Sequence, residues 1–160
     1  MSRGVLYMNM ILKDKLKEFV NFIDDPPKGK RDSILLRLTD QIFYAFGETP
    51  DRMDDKDYPD APMHDYKRKR NEVSQKFKDY GYYNIPEIIC DKIADTQINV
   101  GDAIDDLVDL YYDFSDFLWR CENTSEDSAI WYFQNPERLH WEEHLRWLQY
   151  YLFHKMDEEA

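Results

Sequence analysis

Residues 102–118 read DAIDDLVDLYYDFSDFL, and the reading of this stretch decides the fold. Leu107, Leu110, Tyr111, Phe114, Phe117 and Leu118 recur at steps of three and four, which makes one apolar seam along a helix. Asp102 stands where a side-chain oxygen can cap the orphan amides of the first turn. Beside the seam run Asp102, Asp105, Asp106, Asp109, Asp113 and Asp116, an acidic ridge at the same helical spacing. Asp109 and Asp113 flank Tyr111, so they belong near the edge of whatever the seam packs against.

Outward from this helix the pattern repeats. Thr124 or Ser125 caps a following helix, with Glu126 and Asp127 in its first turn, where negative charge suits the dipole. Ala129, Ile130 and Phe133 face inward. Pro136 then forces a kink or a restart, because proline lacks the amide a helix needs. The inward register resumes at Trp141, Leu145, Leu148 and Leu152. Toward the N-terminus, Leu6, Ile11, Leu12, Leu16, Phe19, Val20 and Ile23 mark a first helix that ends at Asp24-Asp25-Pro26-Pro27. A second starts near Asp32 or Ser33, carries Ile34, Leu35, Leu38, Ile42, Phe43 and Phe46, and stops at Gly47. A third is expected from Pro62 to about Tyr80, with Tyr66, Val73 and Phe77 inward. Residues 48–62 are acidic and proline-punctuated, which predicts a solvated connection, the most mobile part of the chain. Tyr82 to Pro86 reads as extended or turn, and Pro86 can open a short helix through Glu87, Ile88, Ile89 and Ile93. No repeat is visible. The expectation is an all-α, single-domain antiparallel bundle of about five or six helices over residues 1–156, with a frayed tail at 157–160.

Composition narrows the function. The chain has 160 residues, 21 Lys plus Arg and 33 Asp plus Glu, for a net charge of -12. That field repels a phosphate backbone and an anionic membrane surface, so neither nucleic acid nor membrane is an expected partner. No 18-residue apolar run exists, and the first segment is read as a helix, not a signal peptide. Cys90 and Cys121 have no CxxC spacing, which favours reduced thiols in a cytoplasm. Phosphate-cradling, dinucleotide, nucleophile-elbow and HExxH motifs are all missing from the sequence.

Three groups stand out. His140-Trp141-Glu142-Glu143-His144 puts two imidazoles at i and i+4 on one helix face, as a zinc or iron site requires. Together with Asp109 or Asp113 they form a credible ligand set for a divalent metal. The alternative is a set of hydrogen-bonded packing histidines beside a solvated acidic face, with no cofactor at all. Lys67, Arg68, Lys69 and Arg70 form a basic run that can take a phosphate or an acidic partner, or simply offset nearby acids. Trp147, Tyr150 and Tyr151 surround the inward Leu148, so part of this aromatic surface is expected to be exposed for protein contact.

The segment Asp106-Leu107-Val108-Asp109-Leu110-Tyr111-Tyr112-Asp113-Phe114 resembles the D-L-x-D-x-Y-x-D-L signature of an uncharacterised bacterial family, domain of unknown function 5063. In that family an A-x-W-x-[WF] helix follows, and then H-W-G-x-H. Ala129, Trp131, Phe133, His140, Trp141 and His144 stand at the matching places. Glu142 replaces the family's glycine. Gln134 and Asn135 stand where an arginine and an aromatic are usual, and Pro136 is a further departure. The resemblance covers about residues 102–152. It implies an all-helical bacterial cytoplasmic protein without an established activity, and it puts Asp109, Asp113, His140 and His144 inside the shared motif.

Two functions follow as expectations. The first is a non-enzymatic, acidic adaptor or immunity-type module that binds another protein or itself, steering onto a basic partner. The second is a small metal-binding protein or metal-dependent enzyme built on the Asp/His cluster. A nucleic-acid-mimicking decoy is weaker, because the acidic ridge is short and a basic run interrupts the acidity.

Overall fold

The order of apolar stripes in the chain becomes the order of helices in space. In the computed structural model the described residues are 3–54, 56–86 and 89–158, with side chains for 11–54, 56–86 and 89–156. Six helices are present among them: α1 (Arg3–Asp24), α2 (Arg31–Glu48), α3 (Tyr66–Lys76), α4 (Ala103–Asn123), α5 (Glu126–Gln134) and α6 (Arg138–Glu158). Between α3 and α4 lie strands β1 (Tyr82–Pro86) and β2 (Ile98–Asp102), joined through a 3-10 turn at Ile93–Asp95. The fold is the expected helical bundle, with a small antiparallel hairpin added. The side chain of Leu6, and residues Glu87 and Ile88, lie outside the described residues. α6 continues through Glu158, and residues 159–160 of the expected tail lie outside the described residues.

α4 is the central rod. It packs on α1, α3, α5 and α6, while α2 closes the other side against α1 and α6. The seam read from the sequence is buried at Leu107, Leu110, Phe114 and Phe117, with Tyr111 and Leu118 on its margin. Trp141 of α6 is fully buried. Its indole stacks on Phe133 at 4.4 Å with the planes 1° apart, and Phe46 meets it edge-on at 4.7 Å. The indole N–H donates to the Phe133 carbonyl at 2.9 Å, so this buried donor is satisfied.

Helix ends follow local chemistry. Asp102 caps α4 by accepting from the amides of Ile104 and Asp105, and Ser125 caps α5 by accepting from Ser128. Pro136 sits in the break between α5 and α6, a restart as its missing donor requires. α3 is shorter than expected: Asp65 accepts from the Arg68 amide at 3.1 Å and starts the helix there, not at Pro62. α2 begins before the expected caps. Lys30 precedes it at φ 54° with no side-chain cap, and the Asp32 carboxylate is taken instead by Lys155, Tyr80 and Arg31. α2 also runs through Gly47 to Glu48, where the Thr49 hydroxyl donates to the Ala45 carbonyl at 2.7 Å. The connection after it is exposed at Asp51 and Met53. It is nevertheless pinned to α5, by Arg52 to Asp127 at 3.1 Å and Ser125 to Asp54 at 2.8 Å.

The hairpin pairs Tyr82 with Asp102, Asn84 with Val100 and Pro86 with Ile98. Tyr82–Pro86 is extended, as one of the two sequence readings has it. Pro86 itself pairs in the strand, and Glu87 and Ile88, on which the alternative short helix depends, lie outside the described residues. Gly101 is required here: a Cβ at this position would press into the Tyr83 ring and lie 2.7 Å from Ile85 Cδ1. The missing side chain lets Tyr83 lie across β2 and reach α4.

Candidate functional site

α4 and α6 pack side by side, and this contact brings the acidic ridge to the histidines. The Nδ1 of His140 lies 2.8 Å from Asp113 Oδ2. The Nδ1 of His144 lies 2.8 Å from Asp106 Oδ1, and its Nε2 lies 3.5 Å from Asp109 Oδ2. The two imidazoles are 4.8 Å apart, edge to face. One donor atom each from Asp109, His140 and His144 lies within 4.8 Å of the others. Asp113, Glu137 and His140 form a second such group. All four residues expected from the sequence are therefore in one place. His140 is exposed and His144 half-buried, so the cluster opens to solvent.

Two further residues complete it. Asp106, only 4% exposed, accepts from His144 on one oxygen and from the Tyr83 hydroxyl on the other at 2.5 Å. The ridge spacing had already placed Asp106 beside Asp109, although nothing in the sequence ranked it above its neighbours. Tyr83 carries no local signal, because it arrives from the hairpin. A third imidazole pair sits further along α4, where His64 meets Asp116 at 2.7 Å and stacks on Tyr112.

Burial and charge set the proton affinities. Burial raises the Asp109 carboxyl to about 6, helped by the charges of Asp105 and Asp113 and opposed by the imidazoles. Burial likewise raises Asp106, against the hydrogen bonds from His144 and Tyr83. The Asp113 hydrogen bond lifts His140 to about 9, overcoming partial burial. For His144, burial pulls downward but the Asp106 bond and the two nearby carboxylates prevail, so it too is raised. The metal-free cluster therefore holds protons near neutral pH.

The other expected groups fare differently. Lys67, Arg68, Lys69 and Arg70 do not form an anion patch. The helical turn sends them to different carboxylates: Arg70 to Asp102 at 2.5 Å and Asp105 at 3.0 Å, Lys69 to Asp24 at 3.1 Å, and Arg68 to Glu72 at 3.7 Å. Lys69 is buried over the Tyr111 ring, while Lys67 is exposed. Tyr66 donates to Asp105 and completes that end of the ridge. Of the aromatics, Tyr150 is exposed, and Trp147 is half-buried with its indole N–H on Glu143. Tyr151 is not an exposed anchor. It is 9% exposed, and its hydroxyl accepts from the Gly81 amide at 3.1 Å. Its place on the Leu148 and Leu152 side of α6 turns it toward the hairpin.

No helix among the described residues is long and apolar enough to cross a membrane. No family model matches the chain, and no curated protein matches it. Among solved structures, the crystal structure of protein BF1032 from Bacteroides fragilis superposes with a TM-score of 0.68 at 14% identity, covering 95% of this chain and 91% of that one. At that identity the likeness speaks to the fold over nearly the whole length, and to the fold alone.

Proposed function

We propose that this protein binds a divalent transition-metal ion of the zinc class through Asp109, His140 and His144. One observation carries the reading. Each imidazole spends its Nδ1 on a carboxylate, His140 on Asp113 and His144 on Asp106. Each therefore keeps Nε2 as its remaining ligand atom, and that of His144 already faces Asp109. Carboxylates that orient histidines in this way are the usual outer support of a metal site. The group with Asp113 and Glu137 is less suited, since it offers one imidazole and would break the Asp113 bond. Two imidazoles and one carboxylate fit zinc, with a fourth position left for water. Titration of the metal-free protein with zinc by calorimetry should show one equivalent. His140→Ala plus His144→Ala should remain folded by circular dichroism and show none. A wild type that takes up no zinc, or a double variant that still does, removes the proposal.

The setting belongs to the same reading: a bacterial cytoplasm, supported by the unpaired thiols of Cys90 and Cys121. Membership of the domain of unknown function 5063 family is likewise proposed, on the motif spacing from Asp106 to His144.

The net charge of -12 favours a second reading, a module that docks a basic protein partner on its acidic surface. The exposed apolar face of the hairpin, with Tyr82, Ile98 and Val100, supports it. Immobilised protein should then retain a basic partner at low salt and release it at high salt. A chain that stays monomeric and retains nothing at any salt concentration removes this reading.

A further inference from the structure

Two clefts meet away from the imidazole cluster. The first, of about 630 Å³, opens between residues 26–33, the end of α3 and the last turns of α6. The second, of about 590 Å³, lies between β1 and the last turns of α6. Asp79 and Lys155 line both, so the two form one joined depression. We propose that it binds a small phosphorylated ligand carrying an aromatic ring, a mononucleotide by class, with the phosphate in the first cleft and the ring in the second.

The charge of the first cleft is the opposite of the protein's. Five cations line it, Lys28, Lys30, Arg31, Lys76 and Lys155, against Asp32 and Asp79. Lys155 and Arg31 each engage both acids. Lys155 reaches Asp32 at 2.7 Å and Asp79 at 3.0 Å, while Arg31 reaches Asp79 at 2.5 Å and Asp32 at 3.1 Å. Among the described residues, Lys28, Lys30 and Lys76 remain in excess. Lys76 donates to the Asp24 carbonyl at 2.7 Å, a neutral acceptor that leaves its charge in place. Three ammonium groups with no carboxylate partner among the described residues surround this hollow, and on a chain of net charge -12 they focus a positive field there. A phosphate monoester dianion matches that field.

The second cleft supplies flat apolar surface. Tyr82 is 73% exposed and Tyr150 is 41% exposed, and both line it with Tyr83 and His154. Tyr150 lies 6.3 Å from Tyr83 and 4.4 Å from His154, centroid to centroid. Open aromatic faces of this kind stack on a nucleobase, whichever base it is. Each hollow falls in the size range of small-ligand sites, roughly 300–1,000 Å³. The acidic surface beyond the clefts repels a polymer backbone, which restricts the ligand to a single nucleotide unit.

The test is calorimetry in the presence of a chelator, so that its outcome is independent of the metal reading. AMP, GMP, CMP and UMP are compared with adenosine and with inorganic phosphate. At least one nucleotide should bind roughly tenfold or more tightly than adenosine or phosphate alone. Lys28→Ala plus Lys30→Ala, both at exposed positions, should weaken nucleotide and phosphate about tenfold and leave adenosine unchanged. Tyr82→Ala should weaken nucleotide and adenosine and leave phosphate unchanged. No binding of any nucleotide up to ~5 mM, or phosphate binding as tightly as every nucleotide, overturns the proposal. So does an oligonucleotide that outcompetes the mononucleotides, or nucleotide binding indifferent to the lysine and tyrosine changes.

Discussion

Zinc affinity is expected to rise about 100-fold between roughly pH 6 and pH 8, because the metal must displace the proton that His140 holds up to about 9. The sign follows from the site. In the metal-free protein His140 is protonated throughout that interval, with its Nδ1 proton on Asp113. The proton given up on binding is therefore the one on Nε2. One proton released per metal makes the affinity climb about tenfold per pH unit until the imidazole titrates by itself. His144, also raised, adds to the slope, and Asp109, held at about 6, adds a little at the acid end. Folding stability of the metal-free protein moves the other way. The His140 contribution is full below its unfolded value of about 6.5 and is lost as pH rises through about 9. The zinc-induced increase in melting temperature should thus widen with pH. Asp113→Asn removes the carboxylate that raises His140, and should flatten the slope toward what His144 alone contributes. Calorimetry at several pH values checks both. A wild-type affinity that does not change with pH would show that the imidazoles are not the ligands.

Trp141→Ala is expected to destabilise the protein by about 3–5 kcal/mol, the range for emptying a fully buried large aromatic site. The indole is wedged between Phe133 and Phe46, with Phe43 at 6.2 Å. Three elements, α2, α5 and α6, meet on this one side chain. Truncation leaves a cavity that backbone relaxation cannot fill, and it also leaves the Phe133 carbonyl without its donor. Domains of this size are stable by about 5–15 kcal/mol, so a loss of this size removes a large share of the margin. Trp141→Phe keeps most of the volume and should lose less than half as much. Urea midpoints measure the difference. A cost below about 1.5 kcal/mol for the alanine variant would mean that the bundle repacks around the gap. Because Trp141 stands between His140 and His144 on α6, loosening it should also weaken zinc binding.

Much of this arrangement was legible in the chain. The 102–118 seam, the Asp102 cap, the Pro136 break and the Trp141, Leu145, Leu148, Leu152 register depend on local spacing, and local spacing is what a helix expresses. The paired histidines were legible for the same reason, since residues four apart share a helix face. The β2 strand was not, because Ile98-Asn99-Val100 is too short an alternation to mark a strand by itself. Only the partner strand, held in register by Tyr82–Pro86, makes them extended. α3 starts at Asp65 and not at Pro62, because a cap is decided by which side chain reaches the free amides, and spacing alone does not tell that. The basic run looked like one feature in one dimension. Around a helix it divides, and carboxylates from α1, β2 and α4 claim Lys69 and Arg70.

The sequence by itself determined which segments are rods, which edge of each rod is apolar, and that the chain carries a negative field with two imidazoles on one face of its last helix. These are properties of neighbours within a turn or two, settled by sterics, hydrogen bonding and solvent. Only the tertiary structure decided that the imidazoles face Asp106, Asp109 and Asp113, that Tyr83 crosses from the hairpin over Gly101 to join them, and that lysines separated along the chain by more than a hundred residues surround one hollow. Those pairings depend on how buried edges fit against one another at long range, which no local period in the chain encodes.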